Sequence, residues 1–310
     1  MHDQPASEAG TNRRWPVLWA AFAAYLLDSY DLIVLAIAMP VLLKVLDITL
    51  PQGGLIGSAT MAGAMIGSVV FGLIAENRGR RVALIAALLW LGAGMGAVYL
   101  VHSLGMWMAL RGLTGLAIGG IWGPCSALIA DHWSPRYRGR AASFVLSSFA
   151  VGAVMASFAG RIVLDTDWRL LFLLGTASIP FALVAARLVP RDRPAGKTRD
   201  GGAETGRVGI ADIFRGGVGK TTLLATLVSL INLAGYWGAA YWIPTFLTRE
   251  RGLSLTRMAD FSLVMYAGMF FGFQFFGFLA DRVGRRRAMI AAFGTIAGAV
   301  WVYIVVKDPI

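Results

Sequence analysis

The sequence predicts an all-helical (all-α) protein that crosses a lipid bilayer many times. Apolar residues make up 57% of its 310 residues and charged residues only 15%, a balance far from that of soluble domains. The apolar residues also run in stretches of about 20, the length that spans a hydrocarbon core at about 1.5 Å per residue. Because these stretches show no alternation of polar and apolar residues, helices rather than barrel strands are expected.

Nine stretches meet this description, and polar connections separate them. Several contain no charged residue, for example GLIGSATMAGAMIGSVVFGLIA at 54–75. The nine predicted membrane helices cover about 16–43, 54–75, 82–101, 104–130, 141–160, 169–186, 221–247, 258–280 and 288–306.

The net charge of +11 is explained by basic connections rather than by a nucleic-acid partner. With the N-terminus in the cytoplasm, about 20 basic residues fall on the inner side and about six on the outer side, the asymmetry expected of membrane proteins. The first apolar run is too long for a signal peptide and contains two aspartates. We therefore expect an uncleaved integral protein of a bacterial inner membrane, with a cytoplasmic N-terminus and no bound nucleic acid.

Residues that build most enzyme sites are scarce in this chain. The single cysteine, Cys125, lies in an apolar helix, and the three histidines fall in separate loops or tails: His2, His102 and His132. Neither a metal site nor a nucleophilic triad can be assembled from them. We expect a protein that is not an enzyme and that uses no cofactor or metal.

An internal repeat divides the chain. The stretch GLIAENRGRR at 72–81 returns as GFLADRVGRR at 277–286, a shift of 205 residues that also carries the start of the first helix onto the start of the seventh. A complete second unit would need about three more helices, so we expect a truncated sequence. The predicted domains are a cytoplasmic N-terminal tail at 1–15, a six-helix bundle at 16–187, a cytoplasmic linker at 188–219 and three helices of a second bundle at 220–310.

Each copy of the repeat places a carboxylate at the predicted cytoplasmic end of a helix, followed by a glycine turn and a basic cluster. The carboxylate can face a helix N-terminus, an attraction of about 0.3–1 kcal/mol, and the arginine can pair with acids or terminal carbonyls as a gate closes. Short basic loops are common in membrane proteins, but two copies at matching positions favour a function. The predicted gating residues are Gly72, Glu76, Gly79, Arg80, Gly277, Asp281, Gly284 and Arg285.

The repeat resembles the loop motif G-x-L-A-D-R-x-G-R-R of the major facilitator superfamily. In the first copy, Glu76 replaces the aspartate of the motif and keeps its charge. RGLTGLAIGG in the fourth helix, the SPRYRGR loop after it and DWRLLF before the sixth helix match the same family. The resemblance covers nearly the whole chain. It implies the major facilitator fold with about nine of the usual twelve helices, in a monomer that transports by alternating access.

The stretch RGGVGKTTLL at 215–224 looks like a nucleotide-binding loop but lacks the context of one. The strict pattern requires a glycine five residues before Gly219, where this chain has Phe214. A variant pattern fits, but no strand is predicted before it, and Lys220 opens an apolar helix of about 27 residues. We expect Lys220 to mark the cytoplasmic end of the seventh helix, and no nucleotide to bind.

Three ionisable residues lie within predicted membrane helices, where each costs about 2.5–3.5 kcal/mol and usually serves a function. Asp28 and Asp31 are three residues apart on one face of the first helix, and Arg111 enters from the opposite surface. Asp31 and Arg111 reach similar depths, and the resemblance implies that their helices line one cavity. A carboxyl group that moves between an arginine and an apolar environment can load and release a proton. These three residues are the predicted proton-coupling set, with hydrogen bonding inside the bundle as the alternative role for Asp28.

Two stretches point to a subgroup of the family. LLDSYDLIVL in the first helix is similar to the D-G-x-D signature of aromatic acid/proton symporters, with Ser29 in place of the glycine, and YWGAAYWIPTFL in the seventh is closer to sialate and metabolite/proton symporters. We expect proton-coupled import of a small organic acid. Drug or metabolite/proton antiport stays open, although the fifth helix lacks the proline typical of such exporters, and so does a fragment that transports nothing.

A cavity for an organic anion needs a cation, hydrogen-bond donors and an apolar wall. The predicted substrate-binding residues are Arg111, Asn232, Tyr236, Trp237, Tyr241 and Gln274, although aromatic residues also occupy lipid interfaces. Small residues are expected to let the second and fourth helices approach closely: Gly63, Gly67, Gly115, Gly119 and Gly123.

Overall fold

The computed structural model describes residues 14–191 and 219–305, and every regular element within these ranges is helical. This agrees with the predicted all-helical membrane fold. The helices are α1 (Arg14–Val45), α2 (Leu50–Arg78), α3 (Arg80–Gly96, extended by a 3₁₀ turn at Ala97–Leu100), α4 (Leu104–His132), α5 (Pro135–Val163), α6 (Arg169–Gly175), α7 (Ser178–Leu188), α8 (Gly219–Arg249), α9 (Leu255–Val283) and α10 (Arg285–Val305).

Seven helical stretches within the described residues are long and apolar enough to cross a membrane. They are α1, α2, α3 with its 3₁₀ turn, α4, α5, the pair α6 and α7, and α9. Helices α8 and α10 occupy the seventh and ninth predicted segments, so the count of nine crossings stays a prediction. The sixth predicted helix is divided in two at Thr176, whose hydroxyl donates to the carbonyl of Leu173 and so competes with the regular backbone pattern.

Local sequence signals explain where some helices begin. At the start of α2, the backbone amide of Thr49 donates to Oε1 of Gln52 at 2.8 Å, and a proline occupies the first turn. Helix α5 begins at Pro135, earlier than predicted, so the basic stretch 136–140 is helical rather than part of a loop. A proline suits this position because it has no amide hydrogen to satisfy and its φ angle is already helical.

The two copies of the repeated motif share an unusual backbone conformation. Gly79, between α2 and α3, has a φ angle of 97°, and Gly284, between α9 and α10, has a φ angle of 87°. Side chains other than that of glycine rarely tolerate such angles. The repeated glycine is therefore required by a sharp turn between two helices, at positions 205 residues apart.

Glycines let α2 and α4 pack backbone to backbone. A β-carbon on Gly63 or Gly67 of α2 would collide with backbone carbonyls of α4, and one on Gly115 or Gly119 of α4 would collide with carbonyls of α2. The prediction of close packing holds for these four residues. It is wrong for Gly123, where a β-carbon would meet no described atom within 4 Å, because Gly123 lines a cavity instead.

Helix α1 lies at the centre of the described bundle. Of its most apolar 18 residues, 83% are buried. Helix α1 packs against α4, α5 and α8. Its contact with α5 is close at Gly152, where a β-carbon would collide with the hydroxyl of Ser29. The hydroxyl of Tyr30 donates to the carbonyl of Leu171 at 2.9 Å. Helix α1 thus carries its polar residues into the interior rather than toward lipid.

Candidate substrate and proton site

The structure brings Asp31 of α1 and Arg111 of α4 together in a buried ion pair. Arg111 Nη1 donates to Asp31 Oδ1 at 2.7 Å, and Nη2 donates to Oδ2 at 2.9 Å. The side chains of Asp31 and Arg111 are 0% and 1% exposed. This two-point geometry uses both carboxylate oxygens and one whole edge of the guanidinium group, the strongest form of this interaction.

Thr60 of α2 completes the surroundings of Arg111. Arg111 Nε donates to Thr60 Oγ1 at 3.3 Å, and the Thr60 hydroxyl donates its own proton to the carbonyl of Ile56 at 3.0 Å. Thr60 was not among the predicted site residues. A signal was present in the sequence, because Thr60 lies one helical turn before Gly63 and so on the face of α2 that meets α4.

Asp28 is buried but lies outside the ion pair. Its side chain is 3% exposed, and its Oδ1 has no hydrogen-bond partner among the described residues. Tyr25, Cys125 and Asp31 lie close enough to Asp28 to interact with its charge. Of the three predicted proton-coupling residues, Asp31 and Arg111 therefore bind each other. Asp28 keeps one carboxylate oxygen without a hydrogen-bond partner among the described residues.

A cavity of about 540 Å³ adjoins the ion pair on the side of α2 and α8. Thr60 and two predicted substrate-binding residues, Trp237 and Tyr241, contribute to its wall. Among the described residues, the lining contains no charged side chain: Leu32, Leu35, Pro51, Gly54, Leu55, Gly57, Ser58, Thr60, Met61, Trp237, Tyr241 and Trp242. Arg111 contacts this wall through its hydrogen bond to Thr60.

Tyr241 also joins α8 to α2. Its hydroxyl donates to the carbonyl of Gly53 at 3.1 Å, and its ring covers Gly57, where a β-carbon would lie 2.8 Å from the ring. The Trp237 ring packs edge-on against Phe149 of α5, with centroids 6.0 Å apart. These contacts hold two aromatic rings at the cavity without using a charged residue.

Two other predicted substrate-binding residues, Tyr236 and Gln274, are not among the residues of this wall. The Tyr236 hydroxyl lies 3.6 Å from the sulfur of Met269 on α9, and Gln274 is exposed on the same helix. The side chain of Asn232 is outside the described part of the structure. The role of Tyr236, Gln274 and Asn232 in substrate binding stays a prediction.

The first gating loop folds back onto the end of α4. Arg80 forms an ion pair with Asp131, and its Nη1 donates to the carbonyl of Ala127 at 3.3 Å. Gly72, Glu76 and Arg80 line a second cavity of about 450 Å³ between α2 and α4. In the second copy, Gly277 lies in α9 and Gly284 forms the turn to α10. The side chains of Asp281 and Arg285 are outside the described part.

Two polar contacts at the predicted outer side connect the first six membrane segments to α9. Arg161 of α5 pairs with Asp260 of α9, with an Nε to Oδ1 distance of 2.6 Å. The Thr256 hydroxyl of α9 donates to Asp165 at 2.7 Å. We call these four residues the outer clasp. Together with the Tyr241 contact to Gly53, the outer clasp joins the two parts of the chain at one end.

The stretch that resembles a nucleotide loop has a helical end. Helix α8 begins at Gly219 and continues through Lys220, while residues 215–218 lie outside the described part of the structure. No strand occurs among the described residues.

Comparisons with known proteins identify the fold. A putative metabolite transport protein of Haemophilus influenzae is 28% identical over 303 residues, covering 95% of this chain and 74% of the relative. The cis,cis-muconate transport protein of Acinetobacter baylyi is 27% identical, covering 92% of this chain and 70% of that protein. A solved bacterial homologue of the human lysosomal transporter Spinster superimposes with a TM-score of 0.71 at 20% identity, covering 91% of this chain and 64% of that one.

The chain thus spans 74%, 70% and 64% of the lengths of these three proteins. The family model described as Major Facilitator Superfamily matches residues 21–309, nearly the whole chain. The expectation of a transporter rather than an enzyme is confirmed, and the chain belongs to the major facilitator superfamily.

Proposed function

We propose that this protein is a proton-coupled symporter that imports a small organic acid by alternating access. The observation that carries the proposal is the buried Asp31–Arg111 pair beside an uncharged cavity. Charges inside a membrane are costly and usually mark the path of a substrate or a proton. The relative from Acinetobacter baylyi is named for a dicarboxylate, cis,cis-muconate, which supports an organic acid as the substrate class.

The ion pair provides a simple basis for coupling. An aspartate that binds a proton loses its charge and releases the arginine, which then lacks a counterion in an apolar environment. A substrate carboxylate that enters the cavity can accept the same two hydrogen bonds from Arg111. When the substrate leaves, Asp31 gives up its proton and pairs with Arg111 again. Asp28, with an unused carboxylate oxygen, is a second site at which a proton can be held on the way.

The proposal includes the predicted domains and orientation. The bundle at 16–187 and the helices at 220–310 move relative to each other across the membrane, with the N-terminus and the linker at 188–219 on the cytoplasmic side of a bacterial inner membrane. The distribution of basic residues supports this orientation. The protein acts as a monomer, and the gating loops around Glu76 and Asp281 control its cytoplasmic end.

The Asp31→Asn substitution tests the coupling. Asparagine keeps the shape of the side chain but cannot exchange a proton, so proton-driven accumulation in proteoliposomes is expected to fall to background. The substrates for the assay are radiolabelled cis,cis-muconate, benzoate and lactate, with an outside pH below the inside pH. Asp47→Asn, at an exposed position after α1, is the matched control and is expected to transport normally.

Undiminished accumulation by Asp31→Asn would remove Asp31 from the coupling mechanism. The direction of transport separates symport from antiport, because acidifying the outside drives substrate in for a symporter and out for an antiporter. Expulsion of preloaded acid under these conditions would favour the antiport alternative. Absence of gradient-driven movement in either direction would favour a fragment that does not transport.

A further inference from the structure

Thr60 connects the buried ion pair to the cavity. It belongs to the cavity wall, and its Oγ1 accepts a hydrogen bond from Arg111 Nε at 3.3 Å. Because the hydroxyl proton is directed to the carbonyl of Ile56 at 3.0 Å, a lone pair of the oxygen is directed toward Arg111. Thr60 is therefore held as an acceptor by the local backbone.

The contact between Thr60 and Arg111 is built into the packing of α2 against α4. Gly63 lies one turn after Thr60, and Gly115 lies one turn after Arg111. A β-carbon on Gly63 would collide with the carbonyl of Gly112, and one on Gly115 would collide with the carbonyl of Thr60. The two helices therefore meet at backbone distance within one turn of the hydrogen bond. Asp31, in contrast, comes from α1.

The three nitrogens of the Arg111 guanidinium group have separate partners. Nε donates to Thr60, whereas Nη1 and Nη2 donate to Asp31. A carboxylate binds this group best through two parallel hydrogen bonds. Another carboxylate can therefore replace Asp31 at Nη1 and Nη2 while Nε stays hydrogen-bonded to Thr60.

An uncharged acceptor suits the position of Thr60. A carboxylate at Nε would neutralise Arg111 permanently and lower its attraction for an incoming anion. A hydroxyl oxygen orients the guanidinium group without cancelling its charge, and its rotamer is already set by the bond to Ile56. Thr60 thus reduces the conformational freedom that Arg111 would gain when Asp31 is released.

We propose that Thr60 is a positioning residue that keeps the Nη1 and Nη2 edge of Arg111 in the orientation it has in the ion pair while Asp31 is protonated, so that a substrate carboxylate can take the place of Asp31. This inference rests on the proposed function and adds a residue to it. It assigns Thr60 no contact with the substrate. The effect of Thr60 is exerted through Arg111.

Two substitutions of Thr60 separate positioning from packing. Thr60→Val keeps the volume and removes the acceptor, and is expected to raise KM for proton-driven uptake about tenfold, the loss of one hydrogen bond to a charged group, with a smaller change in maximal rate. Thr60→Ser keeps the hydroxyl and is expected to remain within about twofold of the original KM. The probe is whichever of radiolabelled cis,cis-muconate, benzoate or lactate the unsubstituted protein accumulates.

A double-mutant cycle with Asp31→Asn provides a readout that packing alone would not change. The asparagine in this variant resembles the protonated aspartate, so Arg111 then depends on Thr60 for its position. In substrate counterflow, which needs no proton gradient, Thr60→Val is expected to raise KM more strongly in the Asp31→Asn background than alone. Equal effects in the two backgrounds, or an equal KM for Thr60→Val and Thr60→Ser, would overturn the role of Thr60.

The two proposals fail in different ways. If the unsubstituted protein shows no proton-driven uptake but does show counterflow, the proposed symport is wrong, and the Thr60 cycle can still be measured by counterflow. If uptake is normal and Thr60→Val leaves KM unchanged, only the positioning role is wrong. Thermal unfolding of each variant in detergent identifies a general loss of stability. An equal loss of stability in Thr60→Val and Thr60→Ser, together with an equal KM, would contradict the positioning role of Thr60.

Discussion

At the scale of single residues, the sequence identified the costly charges but not all of their partners. Asp28, Asp31 and Arg111 stand out because charged residues are rare in apolar segments. Thr60 does not, because a threonine in a membrane helix costs little and is common. The spacing from Gly63 places Thr60 on the face of α2 that meets α4, but its importance depends on the distance of 3.3 Å between its oxygen and Arg111 Nε, which the spacing does not give.

The Arg111→Lys substitution tests the need for a guanidinium group. Lysine keeps the positive charge but cannot donate two parallel hydrogen bonds to Asp31 and a third to Thr60. Uptake at low substrate concentration is expected to fall by about tenfold or more, although the charge is retained. Arg187→Lys, at an exposed position near the end of α7, serves as the control. Normal uptake by Arg111→Lys would mean that only the charge matters.

At the scale of helices, hydropathy predicted where membrane segments lie, and glycines predicted which of them pack closely. The four glycines of α2 and α4 that meet carbonyls of the opposite helix follow the spacing of four residues that places them on one face. Gly123 continues this spacing on α4 but faces a cavity. The spacing alone cannot show where two crossing helices diverge, because the crossing angle is set by the packing of the whole bundle.

The Gly115→Ala and Gly123→Ala substitutions test this difference. A methyl group on Gly115 would collide with the carbonyl of Thr60, whereas one on Gly123 would meet no described atom within 4 Å. Gly115→Ala is expected to destabilise the protein by about 1–3 kcal/mol, and Gly123→Ala is expected to leave its stability unchanged or slightly raised. Thermal unfolding in detergent measures both. Equal melting temperatures would contradict the close packing of α2 and α4.

At the scale of the whole molecule, the contacts that join the two parts of the chain could not be predicted from either part alone. Arg161 and Asp260 are 51% and 47% exposed, so neither residue carries the cost that marks a buried charge. Exposed ion pairs contribute little to stability, with a typical value of about 0–1 kcal/mol. Under the proposed alternating access, such a pair suits a contact that opens and closes in each transport cycle, because breaking it costs little.

Cross-linking of the outer clasp tests both its movement and the orientation of the protein. In a Cys125→Ser background, Arg161→Cys and Asp260→Cys are combined and treated with a short, membrane-impermeant, reducible bifunctional thiol reagent. Reagent added outside intact cells is expected to stop uptake, and reduction is expected to restore it, because the clasp must open for the substrate to enter. Arg161→Cys alone, treated in the same way, is the control.

Two results of this experiment would contradict the proposal. Uptake that continues after the cross-link has formed would mean that the outer clasp does not open during transport. Cross-linking only when the reagent reaches the opposite side, in inside-out vesicles, would mean that the predicted orientation is reversed.

The sequence by itself determined the class of the protein, the seven described segments that are long and apolar enough to cross a membrane, the repeated loop motif and the three charges within apolar helices. These properties depend on composition, local periodicity and local backbone conformation, such as the positive φ angles at Gly79 and Gly284. Each of these is set by residues close together in the sequence. Only the tertiary structure decided that Asp31, placed by the sequence at the depth of Arg111, forms a two-point ion pair with it, that Thr60 is the third partner, and that Trp237 and Tyr241 but not Gln274 line the cavity. The physical reason is that hydrogen bonds and cavity walls depend on distances of a few ångströms between helices far apart in sequence, and the rotation and crossing angles of all the packed helices together set these distances.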